Sequence, residues 1–472
     1  MILGLMENSM VEETIQTIQT VYLTDSLPWV VGYSGGKDST VLVQLIFQAI
    51  DRLPAERRHK KIYIISSDTL VETPLIISSI NKTLKNIQEK AFERDLPIET
   101  HKVRPEIEKS FWSSIIGKGY PSPRQKFRWC TDRMKIDPAN RFILDKVDQF
   151  GEVIMVLGVR DSESATRAQV MESHTIEGKT LMRHSTLNNA YVYAPIRHFT
   201  TDDVWEYLLN ETSPWGNDNH ELYALYANSS GGECPLVVDK DIKESAGSCG
   251  NSRFGCWTCT VVSEDKALRG FIDNDDKWLQ PLLEFRNWLS DIRDVRDYRE
   301  KHRMDGAIYF VGQGDDKELG LGPFTLEARQ MILRKLLMTQ KEVRELLGKK
   351  ENVKTPYDGD CKLILEEELK HIRKLWIDDG DWLDTLPQIY REVMDEDLDW
   401  EYDERAMFEE DQITDLEFLC EENDVSLRLL KRLITVEKKY SGYRVRRGLL
   451  QEFERALKQD WLHYGKVEGY KE

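Results

Sequence analysis

The sequence predicts an α/β fold, with a parallel sheet that has helices on both faces, followed by a cysteine-rich segment and a mostly helical C-terminal region. Three observations support this prediction. Short apolar runs alternate with longer amphipathic runs over residues 1–215, which is typical of βαβ units. Between 215 and 255 this periodicity gives way to Gly, Asn, Ser and Cys, which indicates loops. After Glu264 the apolar spacing is helical.

The elements follow in chain order. The apolar run at 28–34 predicts a buried strand, and the amphipathic run at 39–53 predicts the helix after it. Further strands are predicted over 60–69, 152–160 and 191–197, and further helices over 202–209, 278–303 and 325–347. Thr200 and Thr201 are expected to cap the helix that begins at 202.

A chain of 472 residues exceeds what one hydrophobic core usually accommodates, so we expect several domains. Their expected bounds are 1–215 for the α/β domain, 216–270 for the cysteine-rich segment, 271–348 for a helical domain and 349–472 for a charged helical region. The sequence contains neither an apolar run of about 18 residues nor a signal peptide at its start. We therefore expect a cytoplasmic protein without a membrane partner.

Charge is distributed unevenly along the chain. The net charge of −18 argues against a surface that attracts nucleic acid as a whole. Yet residues 102–135 hold 9 Lys or Arg against 3 Asp or Glu, and residues 425–472 hold 12 against 6. A polyanion is thus expected to bind at a local patch, while a solvated helix face remains the alternative for the C-terminal run.

The stretch SGGKDS, residues 34–39, predicts a phosphate-binding loop. Gly35 and Gly36 allow the backbone to approach phosphate oxygens, Lys37 adds a positive charge, and the following helix turns its free N–H groups toward them. In a Walker loop the lysine directly precedes the hydroxyl residue, whereas here Asp38 stands between Lys37 and Ser39, which disfavours a P-loop kinase or GTPase. The expected nucleotide-binding residues are Ser34, Gly35, Gly36, Lys37, Asp38 and Ser39.

Polar residues follow two later strands, where open α/β sheets bind ligands. Asp68 ends the second predicted strand and is expected to meet the ribose or adenine of a bound nucleotide. In GVRDSESATR, Gly158 and Arg160 follow another strand, with Arg167 nearby, and two arginines suit phosphate or sulfate. Glu72 is either a Mg²⁺ ligand or an exposed residue at a helix start.

Four cysteines, Cys234, Cys249, Cys256 and Cys259, form the pattern C-x14-C-x6-C-x2-C within the loop-rich segment. Because a cytoplasmic chain is not expected to form disulfides, the pattern predicts a site in which four thiolates hold a metal. Zinc and a [4Fe-4S] cluster both accept such ligands, so the spacing leaves the choice open.

Cys130 lies in a basic stretch, GKGYPSPRQKFRWCTDRMK, at 117–135. Its neighbouring cations are Lys118, Arg124, Lys126, Arg128, Arg133 and Lys135. Cations lower the pKa of a thiol and make it nucleophilic, and a thiol that carries sulfur would benefit from this setting. The alternative is that Cys130 packs beside Trp129 under a phosphate-binding loop.

The motif SGGKDS resembles the PP-loop of the ATP pyrophosphatase superfamily, whose members release PPi from ATP. PIRHFTTDDVWEYL at 195–208 is similar to a signature of PAPS reductase-like enzymes. The chain resembles the DndC family, the PAPS reductase-like sulfurtransferases of bacterial DNA phosphorothioation. The features that carry this resemblance are the loop, the basic stretch around Cys130, GVRDSES, the four cysteines and GPFTLEARQMILRKLL. This resemblance covers about 15–350.

The resemblance implies an enzyme that is both an ATP pyrophosphatase and a sulfurtransferase. It would hold a [4Fe-4S] cluster, use ATP with Mg²⁺, and act with DNA, a cysteine desulfurase as sulfur donor and other Dnd proteins. The implied catalytic residues are Lys37, Asp38, Cys130 and Arg160. Alternatives are a PAPS or APS reductase, an ATP sulfurylase-like enzyme of sulfate assimilation, a tRNA thiolase, and a non-catalytic subunit that senses nucleotide and docks partners through its helical half.

Overall fold

The computed structural model describes residues 3–163, 180–184, 187–228, 255–304, 307–312, 317–355, 357, 359–400, 408 and 410–460. The predicted site residues Cys234, Cys249 and Arg167 lie outside this part of the chain. The chain divides into two compact units. The sheet unit comprises Met1–Glu106, Pro123–Arg286 and Val343–Cys361, and the helical unit comprises Ile107–Ser122, Asn287–Glu342 and Lys362–Glu472.

A six-stranded sheet forms the centre of the sheet unit. Its strands are β1 Trp29–Gly32, β2 Ile62–Ser67, β3 Ile98–Val103, β4 Val153–Val156, β5 Met182–Arg183 and β6 Ala190–Tyr193. They lie in the order β3-β2-β1-β4-β6-β5, and every pair is parallel except β5 with β6. The predicted α/β fold with a mostly parallel sheet is confirmed. A separate two-stranded antiparallel sheet pairs β7 Phe310–Val311 with β8 Glu318–Leu319.

Fourteen helices of eight or more residues occur in the described residues. In chain order they are α1 Leu3–Thr24, α2 Lys37–Asp51, α3 Pro74–Glu93, α4 Asp137–Phe150, α5 Thr201–Asn210, α6 Asn219–Asn228, α7 Lys266–Asp273, α8 Gln280–Asp291, α9 Leu326–Leu347, α10 Glu366–Asp378, α11 Thr385–Met394, α12 Glu410–Glu422, α13 Leu427–Tyr440 and α14 Leu449–Asp460. None of the helices in the described ranges combines the length and apolar character that crossing a membrane requires.

The central strands are apolar along nearly their whole length because helices cover both faces of the sheet. Every residue of β2 and β4 is buried, with the sequences IYIISS and VIMV. One core cluster joins Val30 of β1, Ile65 of β2 and Met155 of β4 to Ile143 of helix α4. Burial on both faces therefore accounts for the continuous apolar runs from which the strands were predicted.

Helix α1 packs within the same unit. Its residues Ile15, Ile18 and Tyr22 are buried. The Tyr22 hydroxyl donates to the carbonyl oxygen of Lys60 at 2.9 Å and accepts from the Lys60 backbone N–H at 3.0 Å. Both backbone groups of Lys60, just before β2, are thus satisfied by one side chain from α1.

Some predicted elements differ from the observed ones. The helix predicted over 278–303 ends at Asp291, beyond which 292–294 and 296–298 form single 3-10 turns. The loops expected over 215–255 include helix α6, whose start is held by Asp218 as its carboxylate accepts from the backbone N–H of His220. The expected domain bounds remain predictions.

Candidate active site

The loop SGGKDS lies where the order of the strands reverses. β1 pairs with β2 on one side and with β4 on the other, so the chain leaves β1 at the crevice where open α/β sheets bind ligands. Gly35 has φ +75°, and a Cβ added there would lie 2.7 Å from Ile80 Cγ1. Backbone conformation and space therefore both require glycine at this position.

Hydroxyl groups hold the loop in its curved shape. Ser39 Oγ donates to the carbonyl oxygen of Gly36 at 2.9 Å and accepts from the backbone N–H of Ser34 at 3.2 Å. The hydroxyls of Ser34 and Ser39 are also 3.2 Å apart. The structure thus brings the predicted loop residues together, with the two serines bracing the turn; their contact with a nucleotide remains a prediction.

Two buried cations share the Asp38 carboxylate. Lys37 is 1% exposed, and its Nζ donates to Asp38 Oδ2 at 2.9 Å. Arg160, 2% exposed, donates from Nε to Asp38 Oδ1 at 2.5 Å. Two positive groups and one negative group leave a net positive charge of one on this trio at the start of α2, which favours an anion there.

Arg160 is fixed by further groups around it. Its Nη1 donates to Ser162 Oγ at 2.9 Å and lies 3.3 Å from Thr201 Oγ1. Thr200 caps helix α5 as predicted, in a capping box with Asp203, whereas Thr201 meets Arg160 instead of acting as a second cap. Arg160 therefore orients Asp38, a role that its position in the sequence alone did not indicate.

Gly158 lies directly against the loop. A Cβ added there would be 3.1 Å from the carbonyl carbon and oxygen of Asp38 and 3.2 Å from the backbone nitrogen of Ser39. A Cβ at this position would press on backbone atoms, so glycine suits the close approach between the segment after β4 and the start of α2.

Tyr226 of helix α6 is a site residue that the sequence analysis missed. Its hydroxyl accepts a hydrogen bond from the backbone N–H of Lys37 at 3.0 Å, across 189 residues of sequence. The Lys37 ammonium lies 5.7 Å from the centre of the Tyr226 ring. No local motif marks such a residue, because its contact depends on how α6 folds back onto the loop.

Asp68 lies at the end of β2, as predicted, and its carboxylate is engaged by cations from the end of β3. Arg104 donates to Asp68 Oδ2 at 2.9 Å from Nε, and Lys102 Nζ lies 3.6 Å from the same oxygen. The other oxygen, Oδ1, accepts from the backbone N–H of Leu70 at 3.1 Å. The expected contact of Asp68 with ribose or adenine remains a prediction.

The Cys256–Cys259 pair is attached to the loop that follows β2. Cys256 forms a β-bridge with Glu72, and its Sγ lies 3.4 Å from Thr69 Oγ1. The Cys259 backbone N–H donates to the carbonyl oxygen of Cys256 at 3.0 Å, which closes a tight turn between the two thiols. This pair therefore lies beside the same edge of the sheet as Asp68.

Two further contacts fix the cysteine turn from its other side. Thr260 Oγ1 donates to the carbonyl oxygen of Pro123 at 2.7 Å. The buried guanidinium of Arg286 donates to the carbonyl oxygen of Cys259 at 2.9 Å and also to those of Val262 and Ser263. The turn is thus held by the segment that leads into Cys130 as well as by the loop after β2.

The Cys130 thiol does not have the lowered pKa expected from its cationic neighbours. Burial raises the pKa of Cys130 to about 12, repulsion by Cys259 adds to this, and Lys135 opposes it. Burial likewise raises the pKa of Cys256, with Lys135 opposing and the Glu72 carboxylate adding. The expectation was wrong because a count of nearby cations in the sequence contains neither desolvation nor a second thiol.

The thiol donors suit a soft metal centre. Cys256 and Cys259 present two sulfurs from one tight turn, and such thiolates are ligands of iron–sulfur clusters and zinc. Within the described residues no group of three or more His, Cys, Asp or Glu is arranged to hold a metal ion. Cys234 and Cys249, the other two expected ligands, lie outside these residues, so the four-cysteine site remains a prediction.

Comparisons with known proteins give a family and several distant likenesses. Residues 28–262 match the family model of the phosphoadenosine phosphosulfate reductase domain. The "Uncharacterized protein MJ0066" of Methanocaldococcus jannaschii is 26% identical over 290 residues, 61% of this chain. The match spans 45% of that relative, less than half of its length.

Three solved structures show weak overall similarity. The NH3-dependent NAD synthetase from Campylobacter jejuni is 13% identical, with 61% of this chain and 96% of that chain covered and a TM-score of 0.27. The U34-tRNA thiolase NcsA from Methanococcus maripaludis with its [4Fe-4S] cluster is 13% identical, with 60% of this chain and 80% of that chain covered and a TM-score of 0.29. The Candida glabrata FMN adenylyltransferase is 16% identical, with 43% of this chain and 57% of that chain covered and a TM-score of 0.26. Residues 28–262, just under half of the chain, are thus similar to the phosphoadenosine phosphosulfate reductase domain family.

Proposed function

We propose that this protein is an ATP pyrophosphatase and sulfurtransferase, which cleaves ATP to AMP and PPi and thereby activates a DNA backbone phosphate for replacement of a non-bridging oxygen by sulfur. The observation that carries the proposal is the aspartate-split loop, in which Lys37 and Arg160 share Asp38 at the start of α2. A buried site with net positive charge suits a pyrophosphate leaving group.

The loop residues would act on the leaving group. A DNA phosphate oxygen attacks the α-phosphorus of ATP, a new P–O bond forms, and the bond to pyrophosphate breaks. Lys37 and the first N–H groups of α2 neutralise the charge that develops on pyrophosphate, while Arg160 keeps Asp38 in place. A persulfide that carries the sulfur then attacks the DNA phosphorus, a P–S bond forms and the oxygen departs with AMP. A thiol reductant breaks the S–S bond, which leaves the sulfur on the phosphorus and the carrier in a disulfide with that thiol.

The sulfur side of the reaction is assigned to the cysteines. Cys256 and Cys259, with Cys234 and Cys249, would hold a [4Fe-4S] cluster, which when bound supplies sites for sulfur handling. Arg286 and Thr260 keep the cysteine turn in place. The sulfur would come from a cysteine desulfurase, and other Dnd proteins would complete the system.

The segment before Cys130 supports DNA as the acceptor. Arg124 and Phe127 form a β-bridge that closes a short turn, and Arg124 and Lys126 are exposed on it. Arg128 Nε is shielded from solvent and has no hydrogen-bond partner among the described groups. The exposed cations of this turn, Arg124 and Lys126, suit contact with a phosphodiester.

The family match favours a second candidate, a reductase of PAPS or APS. Such an enzyme releases sulfite and needs no ATP. Lys37 argues against it, because enzymes of that kind usually lack the loop lysine. A nucleotide-sensing subunit without catalysis is the remaining alternative, and complete absence of PPi release would favour it.

Product analysis with anaerobically purified protein tests the proposal. Incubation with ATP, Mg²⁺ and DNA should yield AMP and PPi, and Lys37→Ala should abolish the turnover because it removes the cation that faces the phosphates. Lys61→Ala is the matched control, since Lys61 is an exposed lysine paired with Glu99. ADP and phosphate as sole products would refute the proposal, and sulfite release from PAPS without ATP would establish the reductase.

Acceptor and sulfur carrier are tested separately. Arg124→Ala combined with Arg128→Ala should weaken DNA binding and flatten its salt dependence while ATP affinity stays nearly unchanged. Unaltered DNA binding would refute this part of the proposal. With cysteine desulfurase and cysteine present, Cys130→Ser should lose sulfur incorporation, measured by mass spectrometry of digested DNA, but retain DNA binding and iron. Full activity would leave Cys130 a packing residue.

A further inference from the structure

Tyr226 makes the contact with the loop that is hardest to explain as packing alone. Its hydroxyl oxygen lies 3.0 Å from the backbone nitrogen of Lys37, the first residue of α2. A Cβ added to Gly36 would lie 2.9 Å from the same oxygen. The side chain is only 6% exposed. A phenol oxygen therefore lies against the backbone of the turn that was predicted to bind phosphate.

The N–H of Lys37 belongs to the first turn of a helix, where N–H groups have no acceptor within the helix. In anion-binding loops these N–H groups point at the ligand. The oxygen of Tyr226 accepts from this N–H in the position that a phosphate oxygen would take. The ring of Tyr226 also faces the Lys37 ammonium, 5.7 Å from the ring centre. Tyr226 thus interacts with both groups that residue 37 offers to an anion.

We propose that Tyr226 is an internal occupant of the phosphate site, and that a nucleotide phosphate displaces its hydroxyl from the Lys37 N–H. The proposal rests on the proposed function only in that phosphate binds at this loop. One N–H cannot donate at full strength to two acceptors. A charged phosphate oxygen is the stronger acceptor, so it replaces the neutral phenol and part of its binding energy offsets the lost tyrosine contact.

Displacement would be transmitted to helix α6 and to Trp205. The Trp205 ring makes an edge contact with the Tyr226 ring at 5.1 Å between centroids, and with the Tyr223 ring at 5.2 Å. Movement of the Tyr226 ring therefore changes the surroundings of Trp205. Tyr223 provides a matched control, because it lies on the same helix and touches the same tryptophan, and its ring is 45% exposed.

The test is the affinity for inorganic pyrophosphate, measured by calorimetry on the full chain. Tyr226→Phe removes the competing acceptor while keeping the ring, so it should bind pyrophosphate about three- to tenfold more tightly than the unaltered protein. Tyr223→Phe should bind it with unchanged affinity. Weaker binding by Tyr226→Phe would make the hydroxyl a supporting ligand, and equal binding would make it irrelevant; either result overturns the proposal.

Fluorescence provides a second readout. Pyrophosphate should change the emission of Trp205, obtained as the difference between the unaltered protein and Trp205→Phe. A Trp205 emission that does not respond to saturating pyrophosphate would overturn displacement. The two proposals fail separately, since ATP cleavage to ADP refutes the proposed function without affecting these binding results, while equal affinities refute the role of Tyr226 with the proposed function intact.

Discussion

Arg160 and Asp38 are 122 residues apart in the chain, yet the guanidinium Nε of Arg160 donates to the Asp38 carboxylate at 2.5 Å. Lys37 donates to the other carboxylate oxygen at 2.9 Å. The segment after β4 is thereby coupled to the loop after β1 through one buried carboxylate. A nucleotide that binds the loop would thus be coupled to the segments that follow both β1 and β4.

This coupling predicts a non-additive effect on stability. Arg160→Met should lower the free energy of unfolding by about 3 kcal/mol, because it removes one partner of a buried ion pair. Asp38→Asn should also destabilise the protein, since Lys37 and Arg160 then lose their shared counter-charge. The double variant should lose less than the sum of the two, by about 1–3 kcal/mol. Urea unfolding measures all three, and additive losses would contradict direct coupling.

Gly158→Ala should impair nucleotide use more than stability. Its Cβ would press on backbone atoms of Asp38 and Ser39 at 3.1–3.2 Å, and backbone atoms cannot rotate away as a side chain can. We expect ATP cleavage to fall about tenfold, because a small displacement of positioned groups is costly for catalysis. Gly348→Ala is the control, since its Cβ would meet its nearest neighbour at an ordinary 3.4 Å. Equal rates for the two variants would contradict the assignment.

Loss of either cysteine of the pair should remove metal. Cys256→Ser and Cys259→Ser should each lower iron and sulfide content and make the segment around the turn more sensitive to protease, because metal binding contributes to folding. Cys361→Ser, a change at a buried thiol, is the control and should retain iron. Full iron content in Cys256→Ser would refute the ligand assignment, and zinc in place of iron would refute the cluster.

Glu368 should make the stability of the helical unit depend on pH. Burial raises the pKa of its carboxyl to about 7, although the hydrogen bond from the Leu365 N–H and the nearby Ser110 hydroxyl and Trp112 N–H oppose this. Between pH 4.5 and 7 the folded state keeps the proton that the unfolded state has lost, so stability falls as pH rises through this window. The loss is on the order of 3 kcal/mol by pH 8.

Glu368→Gln isolates that effect. An amide still accepts from the Leu365 N–H, which Glu368 Oε2 accepts at 3.0 Å, but it cannot ionise. Urea unfolding at pH 5 and pH 8 should therefore show a much smaller difference in the variant than in the unaltered protein. Glu367→Gln, at the exposed neighbouring position, should keep most of the difference, because the Glu367 charge makes the smallest contribution to the raised pKa of Glu368. An unchanged pH dependence in Glu368→Gln would contradict the role of this carboxyl.

The parts of the site that sequence predicts are those whose chemistry is local. Residues 34–39 combine glycines, a lysine and a helix start within six positions, and Asp68 follows directly on an apolar strand. Both features can be recognised in the sequence without knowledge of the fold. Strand β3 was not predicted because its sequence IETHKV is polar at most positions. This composition suits an edge strand that is only partly buried.

Long-range partners could not be predicted in this way. The site is completed by residues from other elements, namely Tyr226, Arg104 and Arg286. The sequence around each of them contains no motif that indicates a role in the site. The pKa of Cys130 shows the same limit. The cations that surround it are visible in the sequence, while its burial and its repulsion by Cys259 follow only from the fold.

The hydrogen bonds between Tyr22 and Lys60 have a consequence for recombinant expression. The family match begins at residue 28, which suggests a shortened protein that starts there. It would lack all of α1, expose the apolar surface that Ile15, Ile18 and Tyr22 cover, and leave both backbone groups of Lys60 without their partner. The folding unit therefore begins before the family boundary, and an expressed fragment should include the part of α1 that carries Ile15, Ile18 and Tyr22.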